Sequence, residues 1–276
     1  MKLVTDNETL MRYVPHSIKP VAGEASLFDK IEVHIENAER WLEKNFTGSD
    51  LPDNVDSLNP KLVDALRQLV VAEALHRAVP SLDLVLTPNG FGVVNTSNLA
   101  PASKPRVDRL VGSMLAHRDD CIAALLPEIV WASKWLASDR ADFFGATLFP
   151  DLGICDAVGG ATGSRWEKYL ELRSQDIDHE ASLAEEWFSP ELMSALRSEN
   201  LRGDLTEKRS EIVRLVKAQV AGYLRSGSFN SRRLADIVNY IRLDPESFSE
   251  WHKSETAKLF APPVLRNEKK ASGYFF

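Results

Sequence analysis

The sequence is poor in the features that announce the commoner chemistries. Cysteine occurs only twice in 276 residues, at Cys121 and Cys155, and neither belongs to a C-x-x-C pair. That excludes a disulfide-stapled fold and a multi-cysteine zinc site, and it fits a reducing compartment. No apolar run approaches the roughly 20 residues that a membrane-spanning helix needs. The opening MKLVTDNETL has no long apolar stretch of the secretory kind. A basic excess is missing too: 33 Lys and Arg stand against 40 Asp and Glu, a net charge of −7. Proteins whose main partner is nucleic acid usually show the opposite balance. The six histidines form no H-E-x-x-H pair. GGATGS (159–164) has no P-loop lysine and follows no strand, and GATGS is not a G-x-S-x-G elbow.

What is present is a globular composition, 44% apolar and 26% charged, long enough for one large or two ordinary domains. Thr5–Glu8 reads as a capping box, and a short helix is expected from Asp6 to Val14, stopping before Pro15. Phe28, Ile31, Ile35, Ala38, Leu42 and Phe46 then recur at helical spacing, with Gly48 as the stop. Asn59-Pro60 opens a third helix that is apolar around most of its circumference. Leu82, Leu84 and Leu86 alternate, Pro88-Asn89-Gly90 supplies turn chemistry, and Phe91, Val93 and Val94 resume. A β-hairpin over 82–96 is expected. A helix from Lys104 runs in broken form past Pro127 to about Ala137, and DFFGATLFPD (142–151) reads as irregular.

The glycines of DLGICDAVGGATG mark 151–163 as a linker. Further helices are expected from Ser164 to about Trp187, after Ser189-Pro190, over Thr206–Arg225 and Ser231–Leu243, and from Pro245 to Phe260. The halves look alike: LRQLVVAEAL (66–75) sets against IVRLVKAQVA (212–221), placing Leu69 on Leu215, Val70 on Val216, Ala72 on Ala218 and Glu73 on Gln219. The expected fold is therefore mainly α: two helical domains from an internal duplication, with a hairpin after the third helix. Its parts are residues 1–150, a linker at 151–163, a second domain at 164–260 and an extended tail at 261–276.

The polar clusters carry no recognisable chemistry. His117, Asp119, Asp120 and Cys121 form the densest set of ligand-type residues, but a zinc site needs three or four converging ligands, and an ordinary helix face is the simpler reading. His179-Glu180 and Glu185-Glu186 read as helix-surface charges. The six tryptophans, Trp131 and Trp135 among them, read as core or interface packing. No catalytic, cofactor or metal residue is assigned.

The order TDNETLMRYV, FDKIEVHIENAERWLEKNFTG, NPKLVDALRQLVVAEALHRA and hairpin resembles the small head–tail connector (adaptor) proteins of tailed bacteriophages. Ile31, Ile35, Ala38, Phe46, Gly48, Ala65, Leu69, Leu75 and Arg77 occupy that group's positions, while His76 stands where an aromatic is usual. The whole chain, with VVNTSNLAPASKPRVDRL and the ending SGYFF, also looks like an uncharacterised family encoded in Bacteroidales prophages and phages. The resemblance implies a non-enzymatic virion assembly protein, located at the neck and assembled in the bacterial cytoplasm. It would form a homo-oligomeric ring between the portal protein and the tail or a second neck protein. The short basic pairs Arg232-Arg233 and Lys269-Lys270 read by default as solvated surface, though either could make non-specific contact with DNA in the lumen, and no membrane is involved. The residues expected to hold neighbours are Leu84, Leu86, Asn89, Phe91 and Val93 of the hairpin and the terminal Tyr274, Phe275 and Phe276. A phage-encoded enzyme or a helical regulatory protein is the alternative.

Overall fold

Most helix starts fall where the sequence offers a capping side chain. The structure, a computed structural model, describes residues 1–14, 23, 25–49, 51, 55–82, 84–87, 90–93, 103–160 and 162–261, with backbone alone at 56, 81, 84–87 and 90–93. Asp6 accepts from the Thr9 N–H at 2.8 Å and opens α1 (Asn7–Tyr13). Ser26 and Asp29 cap each other reciprocally at the start of α2 (Leu27–Leu42), whose Ile31, Ile35, Ala38 and Leu42 are buried. The helix then widens into a π turn, Glu43–Thr47, closed by Gly48 at φ 60°. This turn carries Phe46 and Thr47 inward together.

Asn59 caps α3 (Pro60–Ala78), with proline at the first position, where no backbone N–H is required. α3 packs on both α2 and α4 (Lys104–Ile129), which explains why apolar residues surround it. Between them β1 (Leu84–Thr87) and β2 (Gly90–Val93) pair antiparallel, with Leu84 opposite Val93 and Thr87 opposite Gly90. Two short helices follow, α5 (Ser133–Leu136) and α6 (Asp139–Gly145).

The segment expected to be irregular from Asp142 thus begins inside α6, because Ser138 caps that helix through the Ala141 N–H. The glycine-bearing stretch 151–163 is not a linker either. It contains α7 (Gly153–Val158), with Leu152, Ile154 and Cys155 buried. Gly159 and Gly160 end α7 at positive φ, so the glycines here specify a turn.

The chain divides into two compact units, Met1–Ser174 and Gln175–Phe276, and the division falls within α8 (Arg165–Leu183). The reason lies in the first turns of α8. Trp166 packs at a tilt against Phe46 at 4.7 Å and Tyr169 lies 6.5 Å from Phe144, so these turns complete the first unit's aromatic core.

In the second unit α8 passes into another π turn, Ala184–Phe188, closed by Ser189 at φ 68°. Ser189 also caps α9 (Pro190–Arg202). Then come α10 (Glu207–Ser226), capped by Thr206, and α11 (Ser231–Arg242), capped by Asn230. The single helix expected over 245–260 is instead α12 (Ser249–His252) and α13 (Glu255–Leu259), interrupted at Ser254, whose side chain caps α13.

The pairing of 66–75 with 212–221 holds only in part: Val70 and Val216 are buried alike, and so are Glu73 and Gln219. Ala72 is buried in α3, but Ala218 on α10 is exposed. PKLVDALR (60–67) of α3 also resembles PELMSALR (190–197) of α9, each after a capping side chain. Leu62, Val63 and Leu66 are buried, and so are Leu192, Met193 and Leu196. The fold is mainly α. Among the described residues no helix is long and apolar enough to cross a membrane.

Candidate functional site

The residues expected to hold neighbours are the first question. The backbone of Leu84, Leu86, Phe91 and Val93 lies in the strand pair, while their side chains lie outside what is described. Asn89, Tyr274, Phe275 and Phe276 lie outside the described residues altogether, as do Lys269 and Lys270. Arg232 and Arg233 are exposed on α11.

The polar cluster on α4 is a buried charge network. Arg118 is 4% exposed; its guanidinium meets Asp119 Oδ1 at 2.8 Å, Glu73 Oε2 at 3.3 Å and the Ser164 hydroxyl at 2.6 Å. Glu73 is shared with Arg77 at 2.5 Å, and Trp41 presents its ring 5.7 Å from the Arg118 charge. Each carboxylate thus has a guanidinium, which is what allows charge to be buried at all.

This network disposes of two other readings. Asp119 Oδ2 accepts the Arg165 N–H at 2.6 Å, and the Ser164 hydroxyl accepts the Glu167 N–H at 3.1 Å. The N–H groups of Arg165 and Glu167 in the first turn of α8 are thereby taken by the protein's own side chains. Asp120 pairs with Arg165, and the Cys121 thiol lies 3.8 Å from the His117 ring. Among the described residues no group of three or more His, Cys, Asp or Glu could hold a metal ion. Burial pushes the Cys121 thiol up to about 12 and the Cys155 thiol up to about 11. Both stay protonated at neutral pH and are poor nucleophiles.

Two expectations need correction. Glu180 is not a surface charge: it is fully buried and takes the Arg197 guanidinium at 2.7 Å. Trp131 and Trp135 do not share one role. Trp135 is fully buried, while Trp131 is 76% exposed, because the helix breaks between them at Ala132.

The sequence reading missed a tryptophan clamp where α2 and α8 each end in a π turn. Trp135 Nε1 donates to the Phe46 carbonyl at 2.6 Å, reaching into the first π turn. Trp251 Nε1 donates to the Trp187 carbonyl at 2.9 Å, reaching into the second. A widened turn leaves carbonyls that the next helical N–H does not meet, and an indole supplies the donor. The available signal was S-x-W-x-x-S-x-x-A, present as SKWLASDRA (133–141) and SEWHKSETA (249–257).

A cleft of about 150 Å³ beside the first π turn is bordered by Glu39, Glu43, Thr47 and Ser49. That is below the few hundred Å³ of a small-molecule site. A second depression of about 300 Å³, bordered by Glu43, Lys44, Asp139 and Arg140, has no apolar side chain in its lining.

A family of unknown function (DUF6712) matches residues 18–142. The match lies within the first unit and runs from ahead of α2 into α6. No curated protein and no solved structure matches the chain.

Proposed function

We propose that this protein is a non-enzymatic structural subunit of a phage virion, a head–tail connector that forms a neck ring between the portal and the tail. The observation that carries the reading is the first unit's order of elements. A short α1, an amphipathic α2 ended by Gly48, a buried α3 and a paired-strand connection follow the connector-like residues in sequence. The polar interior supports the same reading. The charges of the Arg118–Asp119–Glu73 network and of the Glu180–Arg197 pair are matched to one another, which suits a rigid building block better than a catalytic site, where a group is held ready for a substrate.

In this reading the strand pair at 84–93 and the terminal Tyr274, Phe275 and Phe276 hold neighbouring subunits, in contacts that use different patches on the two sides. The partners are further copies of the chain, the portal protein, and the tail or a second neck protein. Assembly takes place in the bacterial cytoplasm and the product resides in the virion neck.

The test is mass photometry of the full chain, alone and with the portal protein of the same genome. A discrete high-mass complex is expected, and removal of Gly273–Phe276 should lower its yield. A chain that stays monomeric at every concentration, with and without portal protein, would sink the proposal.

A further inference from the structure

The two units share more than helical character. The helices α2 and α8 each pass into a π turn of five residues, Glu43–Thr47 and Ala184–Phe188, and each turn is closed at positive φ, by Gly48 at 60° and Ser189 at 68°. Glycine takes that conformation freely, whereas serine does so at a cost, so its recurrence at Ser189 reflects a backbone held in place from outside. What holds it is the same in both units. A four-residue helix, Ser133–Leu136 or Ser249–His252, brings a tryptophan whose indole donates to the second residue before the positive-φ position.

The likeness extends beyond the tryptophan. Ser138 Oγ donates to the Trp135 carbonyl at 2.6 Å and accepts from the Ala141 N–H at 3.4 Å. Ser254 Oγ donates to the Trp251 carbonyl at 2.7 Å and accepts from the Ala257 N–H at 3.2 Å. Phe144 lies 6.2 Å from Trp135 and 5.8 Å from Phe46, while Phe260 lies 6.1 Å from Trp251 and 5.7 Å from Trp187.

The helix before the clamp agrees as well. Arg118, Cys121, Ile122 and Leu125 of α4 are buried at the same spacing as Leu234, Ile237, Val238 and Ile241 of α11. Together with the shared P-x-L-x-x-A-L-R, these features give matching elements in the same chain order: α2, α3, α4, α5 and α6 against α8, α9, α11, α12 and α13. A common 3.6-residue period accounts for buried spacing, but it does not produce two π turns, two indole donors and two serine caps in register.

We infer that the chain is a tandem duplication of one assembly unit, so that each chain supplies two units to the ring and a closed ring contains half as many chains as structural repeats. The inference rests on the ring reading above. It also carries a built-in asymmetry. The connection between α3 and α4 holds the strand pair, whereas the connection between α9 and α11 holds α10. Repeats in the wall would therefore alternate, one with strands and one with an extra helix, and the strand contact would occur once per chain.

The experiment uses closed rings of the full chain, formed alone or on portal protein. Mass photometry counts chains, and cryo-electron microscopy class averages count repeats around the wall. A two-fold excess of repeats over chains, with alternate repeats differing, is the expected result. Equal numbers of repeats and chains would overturn the duplication of function while leaving the ring intact. Failure to form any closed ring overturns the ring reading and this inference with it.

Discussion

At Arg118 the cost of burying charge is met by pairing, and the pairing is what a mutation exposes. Replacing Arg118 with Met keeps much of the volume but strands Asp119 without its guanidinium and removes one of two partners from Glu73. Breaking a buried pair from one side typically costs about 3–5 kcal/mol, and R118M should lose that much in urea unfolding. A loss under a kilocalorie would mean that the network is solvated. His76 lies beside the same network. Burial first, and then the nearby Arg118 charge, holds its imidazolium below the ordinary value of 6.5, with Arg77 adding to this and Glu73 and Asp119 opposing. A depressed folded-state value means that the neutral form's contribution is intact above 6.5 and is lost as pH falls through the folded value. Thermal stability should therefore decline on acidification below 6.5, and His76→Phe should flatten the decline. His179 is shifted the same way by burial, so some slope should persist in the variant.

The π turns are the elements most open to test. Trp251→Phe keeps an aromatic ring but leaves the part-buried Trp187 carbonyl without its indole donor, an unmade hydrogen bond that costs about 1–3 kcal/mol at most. Trp135→Phe should do the same at Phe46, and a melting-temperature drop in both variants is the expected outcome. Ser189 separates two effects at one position. Its φ of 68° favours glycine, while its hydroxyl caps α9 through the Leu192 N–H at 3.2 Å. Ser189→Ala loses the cap and keeps the strain, for a cost of about 1 kcal/mol. Ser189→Gly relieves the strain and should equal or exceed the wild type. Equal losses in the two variants would show that φ is not strained there.

For the whole molecule, two compact units predict unfolding that is not two-state. Calorimetry should resolve two transitions. R118M should lower the one belonging to Met1–Ser174, and W251F the one belonging to Gln175–Phe276. A single transition displaced by both variants would mean that the units unfold together. The family match stops at residue 142, inside the first unit.

Local chemistry was legible in the sequence. Asn59 starts α3 because its short polar side chain reaches a backbone N–H two residues ahead, a requirement met by neighbours in the chain, and the cap of α1 falls on Asp6, one residue past the Thr5 that the capping box suggests. The mainly helical class follows from such signals summed along the chain. Everything that depended on distant residues was decided elsewhere. Asp119 reads as a surface acid until Arg118 and the start of α8 surround it, and Glu180 until Arg197 reaches it. The glycines at 159–160 read as a linker because flexibility and a specified turn use the same residue. The division of units moved into α8 because Trp166 and Tyr169 found Phe46 and Phe144. Burial and pairing are properties of separated segments brought together, so only the tertiary structure could assign them.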